Sequence, residues 1–392
     1  MPDENSSPIP GPITTPPDAA ELALRLAAVR ARMQQASLDC FVSFEPANIY
    51  YLTNFANYVH ERPFLLVIPR DGVPTMIAPR LETSHVKARA GCELAYATYA
   101  EFPAPVGENW YDVYAASIPP DARVGVEPAL PVGIFERTPG ARRISEIMDD
   151  VRLVKSAYEI GRNVHACQVV TAGHAKLLEL CRPGVPEGVL YSAVSQLMLG
   201  MVFRDIPNAN IMVTNAKAAV WPPSISHDPH RIPSLGMPME QGGPHVSIVT
   251  AQVDGYGVEL ERTFFLGHVP EWARAPFAAM LEARATAFAL AKPGAVLSAI
   301  DRAVRAVIAR HGYADAILHR TGHGFGITGH EGPYVALGDD RVLEAGMLIS
   351  IEPGIYLPGR GGFRHSDTVL ITADGCVSLT RAPEGLEELV IG

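Results

Sequence analysis

The sequence predicts an α+β protein of two domains, and three observations carry that reading. The chain has 392 residues, more than one small core organises. Residues 19–150 alternate short helical and strand-like patterns, as an α/β unit does. Residues 151–392 instead group helices beside antiparallel-looking strands in two rough rounds.

The elements follow in order. Residues 1–18, rich in Pro and Ser, read as a disordered tail, and they lack the basic and apolar regions of a secretion signal. AAELALRLAAVRARMQQASL has helical periodicity and leads into the short apolar segment CFVSF. NIYYLTNF and FLLVIPRDGVPTMIAP read as strands, the latter a hairpin turning at Asp71-Gly72. LETSHVKARAG is helical, and short strands continue to VGVEP. Residues 143–181, with few breakers, form a long helical stretch taken as the domain junction. Beyond it, VPEGVLYSAVSQLMLGMVF reads as a helix, and VSIVTAQV and GVELERTFFLG as strands. EWARAPFAAMLEARATAFALA and VLSAIDRAVRAVIARHG are helices, then MLISIEPGIYL and GGFRHSDTVLIT are strands.

Several function classes are excluded or disfavoured. A net charge of −10 with no basic stripe argues against binding a nucleic-acid backbone. No apolar run approaches the ~20 residues that cross a bilayer. Five scattered cysteines, Cys40, Cys92, Cys167, Cys181 and Cys376, fit reduced thiols. A cytoplasmic protein acting on a small molecule is expected, without nucleic-acid or membrane partners.

Chemistry concentrates in four segments. In GYGVELERTFFLG, Glu259 and Glu261 are one residue apart, so a strand turns both carboxylates to one face and Val258 and Leu260 to the other. Carboxylates about 7 Å apart raise one another's pKa unless a cation compensates. The structural alternative is a Glu259 paired with a neighbouring arginine. In TGHGFGITGHEGPYV, His323 and His330 sit among glycines that let backbone pass close to a ligand. Glu352 ends the apolar strand MLISI, where an unpaired carboxylate costs several kcal/mol. GGFRHSDTVLIT brings Arg364, His365, Ser366 and Asp367, and a Pro-rich loop carries His227 and His230.

The Arg262-Thr263 pair of GVELERTFF, then GHGFGITGHEGP, SIEPGIYL and GGFRHSDTVLIT resemble, in family order along the chain, the pita-bread hydrolases: methionine aminopeptidase, aminopeptidase P, prolidase and creatinase. ANIYYLTNF and the following hairpin are similar to the N-terminal domain of prolidase and creatinase. The resemblance implies a pita-bread catalytic domain at 151–392, preceded by a creatinase-type α/β domain at 19–150, in a homodimer.

It also implies site residues. Metal-dependent members hold two divalent ions with two aspartates, a histidine and two glutamates. The histidine corresponds to His323, the first glutamate to Glu352 and the second aspartate to Glu259. The first aspartate falls on Ile248 and the last glutamate on Ser366, so two of five ligands are lost. The departures lean towards creatinase, which cleaves a C–N bond without metal. By that likeness Glu261 and Glu352 hold a cationic substrate carbon, His227 shuttles a proton and His323 completes the catalytic set. Arg62, in HERPFLLVI, anchors a substrate carboxylate across the dimer, and His330, Glu259, Tyr334, Arg364 and Ser366 line the substrate. Tyr334 and Ser366 stand where creatinase has an arginine and a histidine, so an amidino, guanidino or cyclic amidine carboxylate other than creatine is expected.

The expectation is therefore a metal-independent, creatinase-like hydrolase with no cofactor. Two alternatives stay open. One is an Xaa-Pro dipeptidase or aminopeptidase with a reworked site, Glu259, His323 and Glu352 on one Mn, Zn or Fe ion. The other is a non-catalytic pita-bread binding protein.

Overall fold

Asp18 starts the first helix. In the computed structural model, which describes residues 9–392, its side chain accepts the Glu21 N–H at 2.8 Å and caps α1 (Ala19–Gln35). The helix buries Leu22, Val29 and Met33. β1 (Cys40–Ser43) follows, and then a departure from the sequence reading: NIYYLTNF belongs to a helix, α2 (Pro46–Thr53), not a strand. Pro46 begins it, where a missing N–H costs nothing, and Asn54 ends it at a left-handed φ of 61°. The β-branched and aromatic residues that suggested a strand are buried all round the helix, so burial overrides local propensity.

β2 (Leu65–Pro69) and β3 (Thr75–Pro79) form the expected hairpin, with Gly72 at a φ of 94° in the turn. The unit continues through α3 (Thr83–Arg89), β4 (Ala95–Tyr99), α4 (Trp110–Ala116), β5 (Arg123–Val126), α5 (Val132–Phe135), β6 (Ala141–Ile144) and α6 (Ile147–Val151). Its six strands order β4-β3-β2-β1-β5-β6 around a core that includes Val42, Leu65, Ile77, Tyr114 and Val124. Residues 15–152 make this compact unit.

Residues 153–392 form the second unit, together with residues 9–14. Of the expected disordered tail, residues 1–8 lie outside the described residues; Ile13 donates its N–H to the Gly161 carbonyl at 3.0 Å. The long helical stretch at 143–181 is broken. β6, α6 and a loop occupy its first part, and α7 (Ala157–Leu180) begins afresh at Ser156, which exchanges capping bonds with Glu159.

Then come α8 (Glu187–Asp205), β7 (Asn215–Trp221), β8 (Gly242–Val253), β9 (Tyr256–Leu266), α9 (Glu271–Leu290) and α10 (Leu297–Arg310). β10 (Gly322–Gly324), β11 (Glu331–Val335), β12 (Leu348–Ile351), β13 (Gly354–Leu357), β14 (Gly361–Arg364), β15 (Asp367–Ile371), β16 (Cys376–Ser378) and β17 (Val390–Ile391) complete the chain. One sheet orders β17-β9-β8-β7, another β11-β10-β12-β15-β16, and β13-β14 pair separately. One apolar core, including Val170, Leu190, Leu260, Phe277 and Val304, joins the four long helices to the strands. The fold is α+β, as the sequence predicts. No helix among the described residues is long and apolar enough to cross a membrane.

Two expected strands are interrupted, and both breaks serve the site. MLISIEPGIYL divides at Glu352-Pro353, and GGFRHSDTVLIT divides at His365-Ser366, where Ser366 bridges Glu261 of β9.

Candidate active site

β9 is buried along its whole length, and its alternation does what the spacing requires. Val258 and Leu260 enter the apolar core, while Glu259 and Glu261 share the opposite face at 5% and 2% exposure. Glu259, Glu261 and Glu352 each present a carboxylate oxygen, all within 4.8 Å of one another. Three such groups repel unless cations lie among them.

Arg364 supplies one cation. Its Nη2 donates to Glu261 Oε1 at 2.7 Å, and its Nε lies against Oε2 as an ion pair without hydrogen-bond alignment. Nη1 donates to the Tyr356 hydroxyl at 2.9 Å, and that hydroxyl also meets His319 Nε2 at 2.8 Å. Burial, with Glu259 and Glu352 adding to it, outweighs the pull of Arg364 and pushes the Glu261 carboxyl up to about 8, although the contact itself is that of an ion pair. A carboxylate facing the guanidinium through both oxygens has the geometry of an ionised pair, and Arg364 stays charged.

His323 supplies the second feature. β10 carries it between Gly322 and Gly324, where a Cβ would meet the Ser350 carbonyl at 2.1 Å and the Gly332 carbonyl at 2.2 Å. These glycines bring strand against strand, rather than backbone against ligand as the sequence reading has it. The ring is 1% exposed. Its Nδ1 faces the Gly324 carbonyl at 3.1 Å, which assigns the proton of the neutral ring to Nδ1 and leaves a lone pair on Nε2. That Nε2 has no hydrogen-bond partner, yet Glu352 Oε1 lies 3.2 Å away and Glu259 Oε1 3.6 Å away. A lone pair facing two carboxylates is repulsive unless a proton or a metal ion lies between them. Without an ion, burial lowers the His323 pKa, but the two carboxylates outweigh it and raise it. The partner shift at Glu352 is downward: burial raises it and His323 more than offsets that.

The carboxylates are also fixed from behind. Ser366 Oγ donates to Glu259 Oε1 at 2.8 Å, and Ser350 Oγ to Glu352 Oε1 at 3.0 Å while accepting the His323 N–H. Nitrogen and carboxylate donors held by hydroxyls suit Zn, Mn or Fe. His330 stacks on His323 with ring centroids 3.6 Å apart and, with Glu259, lines a cavity of about 450 Å³ walled by Ile248, Thr250, Gln252 and Phe325.

The other expected site residues fall in different settings. Tyr334 is partly exposed beneath the Arg320 guanidinium, 4.9 Å from the ring centroid. His227 is half-buried with Nδ1 unpartnered, and no hydrogen bond or ion pair joins it to Glu261 or Glu352. Arg62 belongs to the N-terminal unit and pairs there with Glu61 and Glu101. His365 is fully buried edge-on to Phe277, away from solvent. Sequence reasoning missed Tyr356, His319 and Ser350. Tyr356 lies inside the quoted SIEPGIYL, but nothing in that string marks its hydroxyl as a partner of Arg364.

A second set of buried charges lies next to the first. Asp367 accepts from Arg262 Nη1 and Nη2 at 3.1 and 3.0 Å, from Arg284 Nη2 at 2.6 Å and from Thr380 Oγ1 at 3.0 Å. Arg262 is thereby committed to Asp367 and not to Glu259, which removes the structural alternative for that glutamate.

A two-unit α+β chain with a buried His/Glu donor cluster at the junction of β9, β10 and β12 defines a pita-bread hydrolase. The comparisons agree, and the chain belongs to metallopeptidase family M24, whose sequence model matches residues 163–373; the creatinase/prolidase N-terminal domain matches residues 25–154. The probable dipeptidase PepE of Mycobacterium tuberculosis is 30% identical over 385 residues, covering 94% of this chain and 97% of that protein. The Xaa-Pro dipeptidase of Pyrococcus furiosus is 27% identical over 360 residues, covering 90% and 97%. The solved prolidase of Pyrococcus horikoshii superposes with a TM-score of 0.80 at 26% identity, covering 93% of this chain and 99% of its own.

These findings overturn the metal-independent, creatinase-like reading. The near full-length relatives are named as dipeptidases, and the family is one of metallopeptidases. The geometry gives the reason. Glu261, expected to await a substrate cation, already has one in Arg364. The expectation of no cofactor is corrected with it, since Glu259, His323 and His330 bring ligand atoms within 4.8 Å of one another, as do Glu259, Glu261 and Glu352. The chain is a hydrolase of this peptidase family.

Proposed function

We propose that the protein is a metal-dependent dipeptidase whose substrate class includes Xaa-Pro dipeptides. The observation that carries this reading is the buried His323 Nε2, bare of hydrogen bonds and set between Glu259 and Glu352. Relatives named Xaa-Pro dipeptidase and PepE support it.

Glu259, His323 and Glu352 would hold the ion, with Ser366 and Ser350 fixing the two carboxylates. When bound, the ion supplies Lewis acidity towards a peptide carbonyl and makes a nearby water more acidic. Arg320 Nη2 faces His330 Nδ1 at 3.5 Å, which favours the tautomer protonated at Nε2. Burial and the neighbouring His323 lower the His330 pKa, so it is neutral near pH 7 and donates that proton as a hydrogen bond to the substrate. Ile248 and Phe325 give the cavity apolar wall for a side chain or proline ring, and Gln252 gives it an amide. His227 is retained for proton transfer. Arg62 is retained as the partner subunit's anchor for the substrate carboxylate, in a homodimer to be checked by light scattering.

The test is hydrolysis of Ala-Pro and Ala-Ala by chelator-treated protein before and after adding Mn²⁺, Co²⁺ or Zn²⁺. Turnover restored by an ion supports the reading. Amidine hydrolysis that survives chelation, with no peptide turnover by any loaded form, sinks it.

A further inference from the structure

The buried and half-buried arginines of the catalytic unit divide into two kinds. Arg162, Arg262, Arg284, Arg305 and Arg364 each pair with a carboxylate. Arg320, also half-buried, does not. Its Nε donates to the Gly322 carbonyl at 3.1 Å, its Nη2 faces His330 Nδ1 and its guanidinium lies over the Tyr334 ring. Among the described residues no ion pair reaches it, and Nη1 has no hydrogen-bond partner. The acid that shares its surroundings is already engaged. Asp339 accepts from Arg341 through both oxygens and takes the Tyr334 N–H as well. A guanidinium fixed in orientation but left without a counter-ion is organised to receive an anion.

Position supplies the class of anion. Arg320 precedes His323 by three residues, and His330 lies between them in space, stacked on His323 with centroids 3.6 Å apart and facing Arg320 Nη2 at 3.5 Å. One imidazole thus separates the guanidinium from the donor cluster. In a dipeptide the terminal carboxylate is only ~4 Å from the scissile carbonyl carbon, three bonds away through N and Cα. The other side of Arg320 opens on a cavity of about 420 Å³, lined by Tyr334, Ala336 and Gly338, so an anion can approach it.

We infer that Arg320 is a substrate-binding residue that receives a carboxylate of the peptide and so restricts the site to substrates presenting an anion beside His330. The C-terminus of a dipeptide and the side chain of an acidic residue share this chemistry, and the planar guanidinium matches either. The inference rests on the dipeptidase reading for where the peptide lies, while the unpaired guanidinium is an observation of its own. A carboxylate accepts about four hydrogen bonds, so Arg320 can hold it together with Arg62 of the partner subunit.

The test compares the full chain with Arg320→Met and Arg320→Lys, each shown to be folded by circular dichroism. Chelator-treated protein is titrated calorimetrically with Ala-Pro, Ala-Pro amide, Glu-Pro and Gln-Pro, and metal-loaded protein is assayed on the same four peptides. Arg320→Met is expected to weaken Ala-Pro binding and raise its KM by about 10- to 100-fold, with kcat little changed and the amide unaffected. That result assigns the C-terminus. A loss on Glu-Pro that Gln-Pro does not share assigns the acidic side chain. Arg320→Lys is expected to recover part of the loss, because it keeps the charge without the planar fork. Equal losses on all four peptides mark a packing role and overturn the inference, as does no loss on any. Either of these results with peptides still hydrolysed leaves the dipeptidase reading standing. Arg320-dependent binding of the acids, with no turnover by any loaded form, supports the carboxylate site and sinks that reading instead.

Discussion

Two clusters of buried charge lie beside each other in the catalytic unit, and they are built to opposite rules. Around Asp367 every charge is answered: two arginines and a threonine hydroxyl converge on one carboxylate, and Arg284 also reaches Glu384. Around His323 the charges are left short, with two carboxylates facing a ring nitrogen that has no aligned partner. The residues are similar in kind and burial. What differs is whether the fold supplies the last cation, and a cluster that lacks it is a place for a ligand.

The comparison can be broken from the functional side first. His323→Ala should abolish the bound ion and lower peptide turnover by about 10³-fold or more, because it removes the buried nitrogen donor of the cluster. Metal content and kcat/KM read the result; retained metal with normal turnover contradicts the assignment. Asp367→Ala should act on stability instead. It leaves two buried arginines uncompensated, so a loss of about 3–5 kcal/mol is expected, near 10 °C in Tm for a unit of this size. A variant that melts normally would mean that the Asp367 cluster is not a structural clamp.

Smaller effects sharpen the contrast. Tyr356→Phe removes the hydroxyl that meets both Arg364 and His319, and should cost about 1–2 kcal/mol in denaturant unfolding. Glu187 gives the third solution to a buried acid. Its oxygens accept only the Val220 N–H, and burial raises its pKa from 4.5 to about 7. The folded state therefore binds its proton more tightly than the unfolded state. The resulting stability is fully present below pH 4.5 and is lost as pH rises through about 7. Between those limits the change should be about 1–3 kcal/mol, and Glu187→Gln should flatten that part of the pH–stability profile. An unchanged profile would place the Glu187 pKa elsewhere. Asp367, held low by Arg262 and Arg284 against its burial, has the opposite sign: its contribution is present at neutral pH and disappears in acid.

Local order was legible wherever a side chain's role depends on its immediate neighbours. The face shared by Glu259 and Glu261 follows from strand alternation, and the Asp71-Gly72 turn from backbone freedom. Where burial decides, the reading failed. The aromatic run after Pro46 reads as a strand and is a helix, because the surrounding core accepts it on every side. The glycines around His323 suggested ligand approach, and they instead admit the backbones of neighbouring strands.

The sequence by itself determined the α+β organisation and the family, and it named Glu259, His323 and Glu352 as the donors proposed here. It could not determine which charges find partners within the protein. Glu261 meets Arg364 across 103 positions and Arg262 meets Asp367 across 105. A carboxylate's ionisation, and its need for a metal or a substrate cation, depend on what lies within a few ångströms. That distance is set only when the strands and their breaks assemble.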